Sequence, residues 1–397
     1  MIQNLKESSS PRKPRVAKHI ESMPKSGIRE FFDIVTTVKD IVSLGVGEPD
    51  FVTPWTIREH TIYSLERGRT SYTSNMGLLA LRRAVCDYVG RNYGVEYDPA
   101  TQCLITVGVS EALDLAVRAV VNPGDEVIYC APCYVSYPAE ISMAHGVAVP
   151  VVTRVEDNFA LDPARLREKI TPKTRMLMMN FPCNPTGATL NERQMREIAE
   201  IAVKHDLIVL TDEIYSELTY GDRLPSIASL PGMAERTIFL HGFSKAFAMT
   251  GFRIGYACGP ADLIGAMMKI HQYCMLCAPT PSQEAAIDAL KNGESEMLRM
   301  RESYLERRNF MVDGFNRIGL KCVLPNGAFY AFPSITGTGL ASHEFAIKLV
   351  NDKKVAVVPG TAFGDSGEGF VRCCYATSLP EINIAIDRID EFLQHLK

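Results

Sequence analysis

From about residue 79 the chain alternates between short apolar runs and segments whose apolar positions recur at helical spacing. In residues 79–92, Leu79, Val85, Tyr88 and Val89 fall at that spacing among arginines, which predicts an amphipathic helix. Further helices are expected over 110–121 and 191–205. The runs 103–107, 126–130, 147–152, 176–181, 207–211, 237–240 and 255–258 read as buried strands. Asn122-Pro123-Gly124-Asp125 marks a turn between helix and strand. Strands separated by crossover helices predict a mostly parallel sheet in an α/β domain. Beyond it, residues 297–318 make a long, charged, amphipathic helical stretch. The runs 322–324, 329–332, 355–358 and 369–375 look strand-like, and a helix over 380–396 follows them. That mixture predicts a second, smaller α+β domain, which residues 30–56 also enter.

The chain has 397 residues, enough for two domains, and 46% hydrophobic with 22% charged residues is a globular composition. A formal charge of −4 leaves no basic excess, so no nucleic-acid partner is expected. No apolar run approaches the roughly 18–20 residues that span a bilayer, so no membrane partner is expected either. The first residues lack the apolar stretch of a secretory signal. Without one, the eleven cysteines read as reduced thiols, and their odd number argues against a complete disulfide set. The expected location is the cytoplasm. Residues 1–29 carry seven Lys/Arg against Glu7 and Glu21, broken by Ser8-Ser9-Ser10-Pro11 and Pro14. They read as a solvated N-terminal arm rather than a phosphate-seeking one.

The unusual polar residues cluster just past the expected strands, where ligands sit in open α/β sheets. Gly108, Val109 and Ser110 stand between a strand and a helix, an arrangement that can hold an anion and is more often a plain turn. Asn180-Phe181-Pro182-Cys183-Asn184-Pro185-Thr186-Gly187 places two prolines in a rigid bend that could aim the Asn184 amide inward; alone it reads as a structural turn. Asp212 follows an apolar strand, where a carboxylate needs a cationic or donor partner unless it merely caps a helix. Lys245 lies among Phe and Ala, an apolar setting that lowers an amine's pKa and suits it to covalent chemistry with a carbonyl. Arg253, eight residues on, offers a permanent charge for a phosphate.

Together these segments resemble a known family. Gly45-Val46-Gly47-Glu48-Pro49-Asp50-Phe51, Tyr72-Thr73 with Gly77, Asn184-Pro185-Thr186-Gly187, Asp212-Glu213-Ile214-Tyr215 and Ser244-Lys245 with Gly251-Phe252-Arg253-Ile254-Gly255 look like class I/II pyridoxal-phosphate aminotransferases, in order and from about residue 30 to the C-terminus. The resemblance implies a fold-type I α/β protein: a large domain with a mostly parallel seven-stranded sheet over 57–290, and a smaller α+β domain from 30–56 and 291–397. It implies pyridoxal 5'-phosphate as cofactor, with Lys245 bonding it and then moving the substrate's α-proton. Asp212 would pair with the ring nitrogen. Tyr215 and Asn184 would bond the ring's phenolic oxygen, and Tyr134 would stack on the ring face. Val109, Ser110, Ser244 and Arg253 would bind the phosphate. Arg372 and the Gly47 amide would hold the substrate α-carboxylate. Tyr72 would reach the phosphate of a neighbouring subunit, which implies a homodimer with shared sites. Gly242 departs from the pattern, since many relatives have a serine three positions before the lysine.

The expected activity is ping-pong transfer of an amino group from an L-amino acid, aspartate or aromatic favoured, to a 2-oxo acid such as 2-oxoglutarate. A carbon–sulfur β-lyase using the same cofactor is the enzymatic alternative. A regulatory relative without activity is the other; it would usually carry a DNA-binding domain, for which residues 1–29 are too short. Cys130-Ala131-Pro132-Cys133 and Cys274-Met275-Leu276-Cys277 are C-x-x-C pairs, but they stand 141 residues apart (274 − 133) and read as thiols rather than a zinc site. His145, His205 and His271 read as structural. Residues 364–369 read as a flexible loop before a strand.

Overall fold

A computed structural model describes residues 15–21, 23, 27, 39–222 and 225–396. Most of the N-terminal arm expected over 1–29 therefore lies outside the described residues. Strand β1 (Val42–Ser43) precedes the large sheet, whose strands are β2 (Cys103–Thr106), β3 (Glu126–Ala131), β4 (Val147–Val152), β5 (Thr174–Asn180), β6 (Ile208–Asp212), β7 (Thr237–Gly242) and β8 (Gly255–Cys258). These seven lie in the order β2-β8-β7-β6-β5-β3-β4. The pairs from β4 to β7 are parallel, and β8 runs antiparallel to both neighbours. All seven expected strands are present within a residue or two.

One expectation needs correction. The apolar run at β4 reads as buried, yet Val147 and Val152 are 48% and 43% exposed. β4 is the edge strand, with one neighbour only, so its valines face solvent in part.

Helices cover both faces. Among them are α1 (Trp55–Glu66), α2 (Leu79–Tyr93), α3 (Gly108–Val120), α4 (Ser136–Met143), α5 (Pro163–Lys169), α6 (Glu192–Lys204), α7 (Ala261–Cys274) and α8 (Thr280–Asn292). The start of α6 is written locally: Asn191 accepts from the Gln194 amide while the Gln194 side chain accepts from Asn191, a reciprocal cap. α3 begins two residues earlier than its apolar periodicity indicates, because Gly108 takes a left-handed φ of 74° that starts the helix at once.

A second core gathers α9 (Glu294–Arg317), β9 (Tyr330–Ala331), α10 (Ser342–Lys353), β10 (Val355–Ala356), β12 (Val371–Cys374) and α11 (Leu379–Leu396), with Leu44 joining from the N-terminal side and Ile214, Tyr215, Leu218, Tyr220 and Ala248 from the segments after β6 and β7. Val358 of β11 (Val358–Pro359) packs in a smaller cluster with Phe332 and Phe363. β1 pairs with β10, and β11, β12 and β9 form a three-stranded sheet. The expected strand over 322–324 is absent. There the Cys322 amide donates to Asn316 Oδ1 at 3.0 Å and its carbonyl accepts from Asn316 Nδ2, so a side chain takes the place of a ladder partner. Residues 364–369 also differ from a flexible loop. Asp365–Gly367 form a 3-10 turn, and Glu368 Oε1 accepts the Ser342 amide at 2.8 Å at the start of α10. Among the described residues no helix is long and apolar enough to cross a membrane.

Candidate active site

The carboxyl ends of β5, β6 and β7 and the start of α3 open onto one cavity of about 380 Å3. Asn180 ends β5, Asp212 ends β6, and Lys245 lies three residues past β7. Gly47, from the loop after β1, and Arg372, from β12, close it from the second core. Of the residues singled out in the sequence, Gly47, Val109, Ser110, Tyr134, Asn184, Asp212, Tyr215, Ser244, Lys245, Arg253 and Arg372 all line this cavity. Tyr72 does not; it stands 82% exposed on the surface.

Electrostatics set the chemistry of the floor. Burial lowers the Lys245 ammonium from 10.5 to about 8, and its Nζ donates to the Gly47 carbonyl at 2.7 Å. Burial raises the Asp212 carboxyl from 3.8 to about 6, against the hydrogen bonds from Tyr137 Oη (2.8 Å) and the Ile214 amide (3.1 Å). Among the described residues no cation stands within ion-pair distance of Asp212. A buried carboxylate so held invites a cationic nitrogen from a ligand.

One wall is built for an anion. The amide end of α3 carries Val109 and Ser110, and Ser244 and Arg253 face the same space. Arg253 holds a left-handed φ of 49°, unusual for a residue with a side chain. A Cβ on Gly108 would come within 2.8 Å of Arg253 Nη2, so glycine there lets the guanidinium lie against the helix start. Gly242 has a similar reason: a Cβ would lie 3.0 Å from Val109 Cγ2 and 3.1 Å from the Gly255 Cα. At this departure from the serine of many relatives, β7 thus packs tightly against the Val109 side chain and the β8 backbone.

The opposite wall is built for a carboxylate. Arg372 is 2% exposed, and its guanidinium donates from Nη1 to Asn184 Oδ1 (3.0 Å) and from Nη2 to the Gly45 carbonyl (2.7 Å). Its Nε has no partner, and among the described residues no carboxylate pairs with it. A buried guanidinium without an acid is costly unless a ligand supplies one. Asn184 Oδ1 is committed to Arg372, which leaves its Nδ2 as the atom with a free donor. The backbone runs on from there: the Asn184 amide donates to Asn180 Oδ1 (3.0 Å), and Asn180 Nδ2 donates to the Asp212 carbonyl (2.8 Å). One hydrogen-bonded chain thus joins the Asp212 strand end to Arg372.

Sequence reasoning missed Asn180, Tyr137 and Tyr330 as parts of this site. Asn180 and Asp212 are register partners across β5 and β6, a pairing visible only once the strands are aligned. Tyr330 carried a signal, a phenol inside an apolar strand run, whose hydroxyl needs a buried partner.

Comparison with known proteins agrees with this site. The family description "Aminotransferase class I and II" matches residues 39–389. A putative aminotransferase of Bacillus subtilis, YugH, is 50% identical over 378 residues, covering 95% of this chain and 98% of its own. The aromatic-amino-acid aminotransferase 2 of Thermococcus litoralis is 42% identical, covering 96% and 99%. The solved structure of the Thermus thermophilus aspartate aminotransferase with maleate superposes with a TM-score of 0.92 at 36% identity, covering 96% of this chain and all of that one. The chain belongs to the class I and II aminotransferases. It is an amino-acid transaminase that uses pyridoxal phosphate, and the lyase and regulatory alternatives are not favoured. The residues present fit that cofactor: a buried amine, a buried carboxylate with no cation at ion-pair distance among the described residues, and an arginine beside a helix start.

Proposed function

We propose that the enzyme moves the amino group of an aromatic L-amino acid, with aspartate as a second donor, to a 2-oxo acid such as 2-oxoglutarate, in two half-reactions at one site. The carrying observation is the buried Arg372 guanidinium with its unpartnered Nε in the same cavity as the Lys245 amine. Arg372 and the Gly47 amide hold the α-carboxylate of donor and acceptor alike. Among the described residues the cavity contains two guanidiniums, Arg253 and Arg372, and both have tasks. A side-chain carboxylate finds no third one among the described residues of this cavity, whereas Leu113, Ile214 and four tyrosines suit a ring. Relatives named for aromatic amino acids and for aspartate support the same pair of donors.

Bound pyridoxal phosphate supplies an electron sink that makes the α-proton of the amino acid removable. Lys245 Nζ takes that proton and returns it, a task suited to an amine held near 8. Asp212 keeps the ring nitrogen protonated. Asn184 Nδ2 and the Tyr215 hydroxyl donate to the phenolic oxygen, and Tyr134 covers the ring face. Ser110, Ser244, the Val109 amide and Arg253 hold the phosphate.

The same reading makes the protein a homodimer with shared sites. The Ser71 carbonyl accepts from Thr280 Oγ1 and the Leu276 carbonyl from Asn75 Nδ2, both at 2.8 Å, which ties the segment of the exposed Tyr72 (82%) to the stretch that follows the exposed Tyr273 (86%) and Met275 (50%). Apolar surface of this kind calls for a partner, and a second copy would take Tyr72 to its phosphate site. For the division into 57–290 and 30–56 with 291–397, support comes from the core around α9 to α11, most of whose residues fall in 291–397 while Ile214, Tyr215, Leu218, Tyr220 and Ala248 reach it from the larger part. Eleven free cysteines support a cytoplasmic location.

The test is the visible absorbance of the purified enzyme after addition of single amino acids. Aromatic donors are expected to bleach the cofactor band fastest. Faster conversion by alanine than by any aromatic donor contradicts the substrate reading.

A further inference from the structure

Tyr330 belongs to β9 of the second core, yet its side chain crosses to the catalytic floor. It is 1% exposed, and its hydroxyl lies 2.8 Å from that of Tyr215, which follows β6 of the large sheet. The two rings meet edge-on at 5.6 Å. Gly47 confines the hydroxyl from the other side, since a Cβ there would come within 2.7 Å of it. The guanidinium of Arg372 lies over the Tyr330 ring at 4.4 Å. One side chain therefore touches both the residue assigned to the ring oxygen and the residue assigned to the substrate carboxylate.

Two hydroxyls in contact share one hydrogen between them. Among the described residues neither has another hydrogen-bond partner. Arg372 lies 4.4 Å from the Tyr330 ring centre whereas Lys245 Nζ lies 5.9 Å from that of Tyr215, so the nearer cation draws more electron density from the Tyr330 ring and makes its O–H the stronger donor. Tyr330 then donates to the Tyr215 oxygen, and the Tyr215 hydrogen is left to point into the cavity. Donation into one end of such a chain strengthens the next bond along it, by about 10–30%.

We propose that Tyr330 is a positioning residue: its hydroxyl orients and strengthens the Tyr215 hydrogen bond to the cofactor's phenolic oxygen, while its ring seats Arg372 for the α-carboxylate. The inference rests on the roles given above to Tyr215 and Arg372. It separates two functions of one side chain, so two substitutions read them apart.

Tyr330→Phe keeps the ring and removes the hydroxyl. In substrate-free holoenzyme the pH midpoint of the cofactor's visible absorbance is expected to rise by about half a unit, because a weakened donor favours the phenolic oxygen's charged form less. The charged and titratable groups around the hydroxyl pair and the cavity floor, Lys245, Asp212 and Arg372 with Glu48, Arg253, Tyr134, Tyr137 and Cys374, are unchanged in this variant. kcat is expected to fall while KM for the amino donor stays within about twofold. Tyr330→Leu removes the ring as well, and KM is then expected to rise about tenfold with the loss of the stacked seat for Arg372. A Tyr330→Phe enzyme with wild-type midpoint and wild-type kcat overturns the proposal. So does a Tyr330→Phe enzyme whose only change is a raised KM. Tyr215→Phe is the control: an unmoved midpoint there overturns the assignment of Tyr215 and this inference with it, whereas a midpoint moved by Tyr215→Phe but not by Tyr330→Phe overturns this inference alone.

Discussion

Replacing Asp212 by Asn is expected to stabilise the cofactor-free protein and weaken the cofactor-loaded one. The side chain is 5% exposed, and burial moves its carboxyl from 3.8 to about 6. A pKa raised on folding means that charging the group costs the folded state more than the unfolded one. The corresponding stability is therefore complete below about pH 4 and is lost as the pH rises through 6. From 3.8 to about 6 the loss amounts to about 3 kcal/mol. Tyr137 Oη and the Ile214 amide donate to different oxygens of Asp212. An Asn oxygen still accepts from the Ile214 amide, and its NH2 faces the Tyr137 hydroxyl, which then accepts instead of donating, so the substitution removes the charge and reverses one hydrogen bond. Urea unfolding of the stripped protein, followed by circular dichroism, should show Asp212→Asn more stable by up to about 3 kcal/mol at pH 8 and by about half that at pH 5. With pyridoxal phosphate added, the order should shift the other way, because the carboxylate no longer pairs with the ring nitrogen. A stripped variant no more stable than wild type at pH 8, or a gain independent of pH, refutes the reasoning that Asp212 is held as an uncompensated buried acid.

Other outcomes follow from the same geometry. Lys245→Ala should lower turnover at least about 10³-fold, as loss of a general acid–base group does, read by single-turnover absorbance. Arg372→Ala should lower kcat/KM about 10- to 150-fold, the equivalent of about 1.5–3 kcal/mol for a charge-assisted hydrogen bond, with most of the change in KM. The rate of the first half-reaction should rise with pH and level off above about 8, because Lys245 must be neutral to accept a proton and burial brings it from 10.5 to about 8. For the shared-site dimer, refolding Tyr72→Phe and Lys245→Ala chains together should restore about a quarter of wild-type sites, since half of the dimers are hybrids with one intact site. Absence of recovery in the mixture contradicts a site built from two chains.

Much of this arrangement is legible in the chain. The sheet strands are short, mostly apolar runs, and four of them end on Thr106, Asn180, Asp212 and Gly242, so Asp212 and Gly242 announce strand ends where ligands gather. Lys245 stands out because a lysine among Phe243, Ala246 and Phe247 is out of place on a surface. Pairings across the sheet are harder to read. Nothing local tells Asn180 that it lies beside Asp212, and Tyr137 gains its partner only when α4, packed against β3 and β4, carries its hydroxyl to the end of β6. Tyr330 and Arg372 lie hundreds of residues from Gly45 and more than a hundred from Tyr215, so their meeting depends on the long-range packing that puts Tyr215 and Tyr330 in one cluster. β4 fails for the opposite reason: its valines fit a buried strand, and only the strand order makes it an edge. At 322–324 the apolar run is real but Asn316 occupies the backbone groups that a ladder would use.

The most direct test of the account is borohydride reduction of the holoenzyme followed by digestion and mass spectrometry, which fixes the cofactor to the lysine that carries it. The account requires the added mass on the peptide containing Lys245, and its release before reduction by an amino donor. The same mass on another lysine, or no adduct after reconstitution with pyridoxal phosphate, contradicts it.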